Sequence, residues 1–408
     1  MIDSYDVIIV GTGHGGAQAA ISLRQCGYQG SILMVSRDGE LPYERPPLSK
    51  EYLAKQKPFE RILIRPAQFW IDRQIGLRLS NEVVAVDPEK HQVTLKTGEE
   101  LKYSALIWAA GGEPRKLSCP GAELGGIFGV RNRADVDEIM AAIDQGARRI
   151  VVIGGGYIGL EAAAVLRKLG LDVVLVEALP RVLARVAGAP VSLFFQTEHA
   201  SAGVDLRLGV GVEKILGTEN AEAVQLSDGQ TISADLVIVG VGIIPNVEPL
   251  INAGAAGENG VLVDEYCQTS LEDIYAIGDC AAHASQWADD QTIRLESVQN
   301  ANDMATAVAK TICGVPQIYR ALPWFWSNQY DLKMQTAGLS AGYTSVVLRG
   351  DPAHKKFSAL YFNKSRLIAI DAINMTKDFV QGRKLIEAKV TLQEGEASDI
   401  FTDLKSFL

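Results

Sequence analysis

The chain has 408 residues, of which 47% are hydrophobic and 39 are glycine, and this composition suits two or three α/β domains with full cores. Its formal net charge of −10 argues against non-specific nucleic-acid binding. No apolar run is long enough to cross a membrane, and no basic N-terminal segment precedes an apolar core, so we predict a cytoplasmic protein.

The first predicted strand, residues 5–10, runs into a glycine-rich turn and then a helix-like segment. A strand, a tight glycine turn and a helix N-terminus form a cradle for a pyrophosphate, because backbone N–H groups and the helix dipole face the anion. The candidate dinucleotide-binding residues of this turn are Gly11, Gly13, His14, Gly15 and Gly16.

The next predicted strand, residues 31–35, is not followed at once by the acid that commonly holds an adenosine ribose. The chain reads Ser36-Arg37-Asp38 instead. Asp38 or backbone groups would then hold the ribose, while Arg37 either stacks on an adenine or points to solvent. Both alternatives for Arg37 stay open at this stage.

A second glycine-rich turn follows the predicted strand 150–153, and its candidate binding residues are Gly154, Gly156, Tyr157, Ile158 and Gly159. The strand after it ends in Glu177, an acid that can accept hydrogen bonds from a ribose and repel a 2′-phosphate. This favours NADH over NADPH, although Arg181 and Arg185 lie close enough in sequence to soften the preference. Two such turns in one chain predict two dinucleotides that exchange electrons.

A later predicted strand, residues 274–277, has no glycine fingerprint of its own, and we expect it to complete the first domain. It ends in Gly278-Asp279, where a close backbone and a carboxylate suit the polyol chain of a flavin dinucleotide. We therefore predict an α/β fold with two Rossmann-like dinucleotide-binding domains and a C-terminal α+β domain. The predicted domains are an FAD-binding domain (1–112 and 244–320), an NADH-binding domain (113–243) and the C-terminal domain (321–408).

The C-terminal region, from about residue 321, differs from the rest of the chain in its predicted secondary structure and its net charge. Its β-rich stretches at 345–348, 357–362 and 367–370 precede a predicted helix around 378–389. Residues 320–408 carry a net charge of +3 in an otherwise acidic chain. The five cysteines are scattered without a Cys-x-x-Cys pair, so no redox-active disulfide and no metal site are predicted.

Several stretches together resemble one family, the oxygenase-coupled NADH:ferredoxin reductases of the putidaredoxin reductase and biphenyl-dioxygenase ferredoxin reductase type. The resemblance runs from Val7 to about Asn374, and apoptosis-inducing factor resembles the chain in the first of the stretches that carry it. The stretches that carry it are Leu41-Pro42-Tyr43-Glu44-Arg45-Pro46-Pro47-Leu48-Ser49-Lys50, Gly154 to Glu161, Ile277-Gly278-Asp279-Cys280, Arg294-Leu295-Glu296-Ser297-Val298 and Trp324-Phe325-Trp326-Ser327-Asn328-Gln329-Tyr330.

The resemblance implies a glutathione-reductase-like architecture and a set of FAD and NADH contacts at matching positions. Beyond the two glycine turns and Glu177, the implied cofactor-binding residues are Arg37, Arg45, Pro46, Lys50, Val83, Ala110, Arg131, Gly242, Gly278, Asp279, Glu296, Ser297, Val298 and Trp326.

Catalytic roles are implied for Lys50, Glu161 and Trp326. A lysine near the flavin N5 edge would stabilise the negative charge that arrives with a hydride, and a carboxylate would hold the lysine in place. We expect Glu161 in the first turn of its helix, where its charge is favourable. We expect Trp324 and Trp326 to face opposite sides of a strand, one in the core and the other beside the flavin.

The resemblance implies transfer of a hydride from NADH to FAD and of single electrons to an acidic [2Fe–2S] ferredoxin that feeds a P450 or Rieske oxygenase. A rubredoxin, monodehydroascorbate, quinone or oxygen reductase would share these motifs, as would a non-enzymatic flavoprotein switched by NADH. A disulfide reductase is disfavoured because the cysteine pair is absent. We expect a monomer or weak homodimer that binds neither nucleic acid nor membranes.

Overall fold

The computed structural model describes residues 3–408. Within that range its α-helices, in chain order, are α1 (His14–Gln25), α2 (Ala67–Asp72), α3 (Arg133–Asp144), α4 (Tyr157–Lys168), α5 (Ala189–Ser201), α6 (Glu248–Asn252), α7 (Val298–Ile312), α8 (Thr376–Glu387) and α9 (Glu394–Ser398). None of these helices is both long enough and apolar enough to cross a bilayer.

The strands of the same range fall into several sheets. In chain order they are β1 (Asp3–Val10), β2 (Ile32–Val35), β3 (Ile75–Arg78), β4 (Val83–Asp87), β5 (Gln92–Leu95), β6 (Glu100–Trp108), β7 (Gly112–Pro114), β8 (Ile127–Phe128), β9 (Arg149–Ile153), β10 (Asp172–Glu177), β11 (Asp205–Leu208), β12 (Val212–Gly217), β13 (Ala221–Leu226), β14 (Thr231–Ser233), β15 (Leu236–Val239), β16 (Ile243–Pro245), β17 (Gly257–Glu258), β18 (Gly260–Val263), β19 (Ile274–Ala276), β20 (Ala281–Ser285), β21 (Gln291–Arg294), β22 (Trp324–Gln329), β23 (Leu332–Gly338), β24 (Ser345–Asp351), β25 (Lys356–Asn363) and β26 (Arg366–Ile373).

The chain folds into two compact units. Unit 1 comprises residues 1–45, 59–113 and 244–323, and unit 2 comprises residues 46–58, 114–243 and 324–408. Residues 46–58, which we predicted within the first domain, thus cluster with the second dinucleotide-binding segment and the C-terminal region.

Unit 1 is built on a sheet whose order is β3-β2-β1-β6, continued by the antiparallel strands β5 and β4. Strands β1, β2, β3 and β6 are parallel, and the last four residues of β1 are all buried because both faces of the sheet are covered. Strand β19 pairs in parallel with β6, with Tyr275 opposite Ile107. The strand predicted to return to the first domain therefore does so.

Unit 2 contains a parallel sheet in the order β11-β10-β9-β15-β8, beside the antiparallel sheet β12-β13-β14. A further antiparallel sheet, β22-β23-β26-β25-β24, forms the C-terminal region, and α8 packs on β26. The β-rich stretches predicted from the sequence lie in β24, β25 and β26, and the predicted helix corresponds to α8. The α/β class with a C-terminal α+β portion is confirmed.

Candidate functional site

The first glycine turn joins β1 to α1 in unit 1. Gly11 has a φ of +104°, and a Cβ there would overlap the carbonyl oxygen of Ala109, which directly follows the neighbouring strand β6. A Cβ at Gly16 would overlap the Gly11 carbonyl oxygen, so both positions require glycine for close packing. Gly13, the N-cap of α1, has only Arg45 Nε, at 3.9 Å, beside its hypothetical Cβ. The open backbone at this helix N-terminus fits a pyrophosphate.

The second glycine turn, between β9 and α4 in unit 2, repeats this geometry. Gly154 has a φ of +109° and packs against the carbonyl of Gly240, while a Cβ at Gly159 would overlap the Gly154 carbonyl oxygen. Gly156, the N-cap of α4, has no heavy atom within 4 Å of its hypothetical Cβ. Two turns with the same packing requirement and the same open N-cap fit two dinucleotides.

The strand end after the first turn carries an ion pair. The Arg37 guanidinium, 48% exposed, pairs with the Glu113 carboxylate. Asp38 accepts a hydrogen bond from the Tyr43 hydroxyl at 3.0 Å, and its carboxylate lies 3.7 Å from the Arg45 guanidinium. Arg37 therefore has a carboxylate partner within unit 1.

Other predicted FAD contacts of unit 1 lie around β19 and the start of α7. Gly278 has a φ of +72°, and the Asp279 carbonyl accepts a hydrogen bond from Arg294 at 2.9 Å. Arg294 also pairs with Glu296 at 2.9 Å. Ser297 caps α7 by accepting from the backbone N–H of Asn300, and Val298 is the first residue of that helix.

The remaining predicted residues lie apart from this group. In unit 1, Val83 begins β4 and is buried, while the Ala110 carbonyl accepts from Asn246 Nδ2 at 3.0 Å. In unit 2, the Arg131 backbone N–H donates to Asp135, which belongs to the capping box of α3. Gly242, with a φ of +97°, accepts from the backbone N–H of Arg115.

A buried carboxylate in unit 2 collects several donors. Glu161 is 4% exposed, and its Oε2 accepts from Lys50 Nζ at 2.5 Å and from the Ser49 hydroxyl at 2.6 Å. Its Oε1 accepts from the Ser327 hydroxyl at 2.7 Å. Ser49 ends a short 3₁₀ helix, Pro46–Ser49, and Lys50 directly follows it. The structure thus brings together Lys50 and Glu161, which the sequence paired.

The expected position of Glu161 in the helix is wrong. Helix α4 begins at Tyr157, inside the glycine turn, so Glu161 is the fifth residue and lies in the second turn. Hydrogen bonds from Ser49, Lys50 and Ser327, rather than a first-turn position, compensate the burial of its charge.

The expectation that Trp324 and Trp326 face opposite sides of a strand is also wrong. Residues two apart in a strand share a face, and the two rings in β22 lie 5.5 Å apart between centroids. Trp324 also contacts Phe379 edge-on, while the intervening Phe325 lies 4.5 Å from the Tyr157 ring. Phe325 therefore connects the C-terminal sheet to the second glycine turn.

Glu177, at the end of β10, holds the second glycine turn directly. Its Oε2 accepts from the backbone N–H of Gly155 at 2.6 Å, and its Oε1 accepts from that of Leu179 at 2.8 Å. The carboxylate is thereby fixed beside the turn, where the sequence predicts a ribose.

Replacing Glu177 with Ala is expected to raise the Michaelis constant for NADH about tenfold and to relax discrimination against NADPH, since the carboxylate that repels a 2′-phosphate is lost. Steady-state kinetics with both nucleotides measures this. Glu177→Gln keeps one acceptor for the turn and serves as the control for loop disorder. Unchanged constants in Glu177→Ala would remove the ribose-binding role.

A second buried carboxyl lies in the C-terminal sheet of unit 2. Asp371 is 1% exposed and accepts from Tyr361 at 2.6 Å and from Thr336 at 2.7 Å. The Tyr361 hydroxyl accepts in turn from the backbone N–H of Gly188, the N-cap of α5. Burial raises the pKa of Asp371 to about 6. No sequence motif predicted this link.

Because the pKa of Asp371 is raised in the folded state, its ionisation opposes folding, and its contribution to stability is lost as pH rises from the ordinary carboxyl pKa of about 4 to about 6. Between pH 5.0 and 7.5 this loss amounts to about 1.4 kcal/mol. Asp371→Asn is expected to remove it, as shown by urea unfolding at the two pH values. Asp331→Asn, at an exposed carboxylate, is the control. Equal losses in the parent and Asp371→Asn would contradict the assignment.

Comparison with known proteins shows similarity to reductases over nearly the whole chain. Residues 5–305 match the pyridine nucleotide-disulphide oxidoreductase family, and residues 324–408 match the reductase C-terminal family. A ferredoxin–NAD(P)(+) reductase of Sphingomonas sp. is 54% identical over 406 residues, which cover 99% of this chain and 98% of that protein.

Two further proteins show the same extent of similarity. The 5,5'-dehydrodivanillate O-demethylase ferredoxin reductase subunit of Sphingobium sp. (strain NBRC 103272 / SYK-6) is 54% identical, covering 98% of each chain. The crystal structure of the ferredoxin reductase for the CYP199A2 system from Rhodopseudomonas palustris superimposes with a TM-score of 0.95 at 40% identity, covering 99% of each chain. The similarity therefore includes the C-terminal sheet as well as both glycine turns.

Proposed function

We propose that this chain is an NADH:ferredoxin reductase serving an oxygenase. It belongs to the pyridine nucleotide-disulphide oxidoreductase family, and it is an oxidoreductase that uses FAD and a nicotinamide dinucleotide. The relatives named as ferredoxin reductases, one of them a subunit of an O-demethylase, support this proposal. The partner is a [2Fe–2S] ferredoxin, and the oxygenase is of the P450 or Rieske type.

The observation that carries the proposal is the buried Lys50–Glu161 pair: Lys50 follows the 3₁₀ helix Pro46–Ser49, and Glu161 lies in α4, the helix after the second glycine turn. The redox chemistry that FAD would supply when bound is the uptake of a hydride from NADH and the release of electrons one at a time. With FAD bound, Lys50 would supply a positive charge that stabilises the negative charge arriving with the hydride, and Glu161 fixes the position of the Lys50 ammonium. Gly13 and Asp279 would hold FAD, and Gly156 and Glu177 would hold NADH.

Electrons leave without a disulfide intermediate. All five cysteines are free thiols. Burial raises the pKa of Cys280 to about 11, and burial together with the neighbouring Cys26 thiol raises the pKa of Cys313 to about 11, so both stay protonated at neutral pH. A protonated thiol is a poor nucleophile, which disfavours dithiol chemistry.

The proposed domain roles follow from the same residues. Residues 1–112 and 244–320 bind FAD, residues 113–243 bind NADH, and residues 321–408 form the C-terminal domain. The reductase acts in the cytoplasm as a monomer or weak homodimer.

Anaerobic titration with NADH, followed by stopped-flow mixing with a [2Fe–2S] ferredoxin encoded in the same operon, tests the function. We expect one equivalent of NADH to reduce the flavin and the reduced protein to reduce two equivalents of ferredoxin. If turnover were faster with rubredoxin, monodehydroascorbate, a quinone or oxygen, that substrate rather than ferredoxin would be the electron acceptor. Slow turnover with every acceptor would indicate an NADH-switched flavoprotein instead.

An acidic ferredoxin is expected to associate through the C-terminal region, because residues 320–408 carry a net charge of +3. Raising the ionic strength from about 0.01 M to 0.5 M should slow ferredoxin reduction about tenfold, since the Debye length shrinks well below the size of the interface. Reduction of a small uncharged quinone corrects for general salt effects, because screening does not act on a neutral acceptor. A ferredoxin rate that does not fall with salt would exclude this steering.

A further inference from the structure

The Glu161 carboxylate is the end of a buried hydrogen-bond chain that extends through unit 2. Ser327 Oγ lies 3.2 Å from Gln329 Nε2, and Gln329 Oε1 lies 2.8 Å from His199 Nε2. His199 Nδ1 lies 3.1 Å from the Tyr330 hydroxyl. Ser327, Gln329 and His199 are each at most 1% exposed, so water does not compete for these bonds.

The charge on Glu161 fixes the direction of every bond in this chain. An ionised carboxylate only accepts, so the single Ser327 proton points at Glu161. Ser327 must then accept from the Gln329 amide NH₂, which leaves the Gln329 carbonyl facing His199. A carbonyl only accepts, so the proton of the imidazole sits on Nε2.

The Tyr330 hydroxyl at the far end of the chain can donate or accept, so it accommodates this direction. With its proton on Nε2, His199 accepts at Nδ1 from the Tyr330 hydroxyl. Burial lowers the pKa of His199, which keeps the ring neutral at pH 7. Its neighbour Glu198 pairs with Lys355 at 2.7 Å and lies outside the chain.

We propose that the charge of Glu161 sets the tautomer of His199 through Ser327 and Gln329, and that these three side chains are positioning residues for the Glu161 carboxylate. The functional part of this inference rests on the proposed role of Glu161 in hydride transfer. The sequence assigned no role to His199 or to Gln329, although Gln329 lies in the stretch 324–330, because both contact Glu161 only through Ser327.

The proposal makes a specific prediction for Glu161→Gln. The introduced amide must turn its oxygen towards Lys50, because an ammonium only donates, and its NH₂ then faces Ser327. The Ser327 hydroxyl reverses, and the Gln329 amide turns over so that its NH₂ faces His199. His199 Nε2 must then accept, so the proton moves to Nδ1.

Long-range ¹H–¹⁵N spectra of the FAD-loaded protein, labelled at its five histidines, distinguish the two tautomers. We expect Nε2–H in the parent and Nδ1–H in Glu161→Gln. Glu198→Gln is the matched control, because it makes the same charge change next to His199 without touching the chain. Retention of Nε2–H in Glu161→Gln, or an equal switch in Glu198→Gln, would overturn the proposal. The tautomer of His199 is measured without any electron acceptor, so this test can fail or succeed independently of ferredoxin reduction.

The positioning role has its own test in stopped-flow reduction by NADH. His199→Phe should lower the limiting rate about tenfold with an unchanged dissociation constant for NADH, because the misplaced Glu161 affects the reacting geometry rather than binding. His199→Gln, which keeps a donor at the Nε2 position, should restore the rate to within about twofold. A normal limiting rate in His199→Phe, or no rescue by His199→Gln despite equal melting temperatures, would contradict the role.

Discussion

Replacing Lys50 with methionine is expected to slow reduction of the flavin by NADH about 100-fold and to lower the free energy of unfolding by about 3 kcal/mol. The Lys50 side chain is 12% exposed, and its partner Glu161 is 4% exposed. Without the ammonium, Glu161 keeps two hydroxyl donors, but its charge stays buried and uncompensated. Stopped-flow absorbance and urea unfolding of the FAD-loaded variant measure the two effects.

The two effects of Lys50→Met can be separated by adding Glu161→Gln. Removing both charges should recover most of the lost stability, because no uncompensated charge remains, while the rate of flavin reduction stays low. Lys50→Arg tests whether any cation suffices. Normal reduction of an FAD-loaded Lys50→Met variant would refute the catalytic role of Lys50.

The parts of the site that the sequence predicted are those that one short segment encodes. Gly16 packs against the Gly11 carbonyl and Gly159 against the Gly154 carbonyl, each within one turn, so the glycine spacing in a short segment indicates a strand, a turn and a helix. The return of β19 to the first sheet was likewise predictable, because residues 274–277 lack a turn of their own.

The parts that the sequence missed depend on contacts between distant segments. Ser327 and Glu161 are 166 residues apart, and the hydrogen bond between Tyr361 and Gly188 spans 173 residues. Ser327 lay within a motif that indicated the family, but nothing in the motif indicated its partner. The first-turn placement of Glu161 failed because the helix begins inside the glycine turn.

Replacing Gly16 with alanine is expected to abolish retention of FAD and to destabilise unit 1 by more than about 4 kcal/mol. Gly16 is the third residue of α1, and a Cβ there would overlap the Gly11 carbonyl oxygen of the same turn. The helix must then move away from β1, and the cradle at its N-terminus opens. The ratio of FAD to protein after purification and the urea midpoint measure the outcome.

Gly13→Ala separates loss of packing from loss of the cofactor. Its Cβ would meet no protein atom closer than Arg45 Nε at 3.9 Å, so this variant should fold with the parent's urea midpoint as apoprotein. Because the open backbone at Gly13 is the proposed approach to the pyrophosphate, FAD affinity should still fall, by about tenfold. Full FAD retention by Gly16→Ala would show that the close approach of α1 to the first turn does not build the site. Full retention by Gly13→Ala would place the pyrophosphate elsewhere.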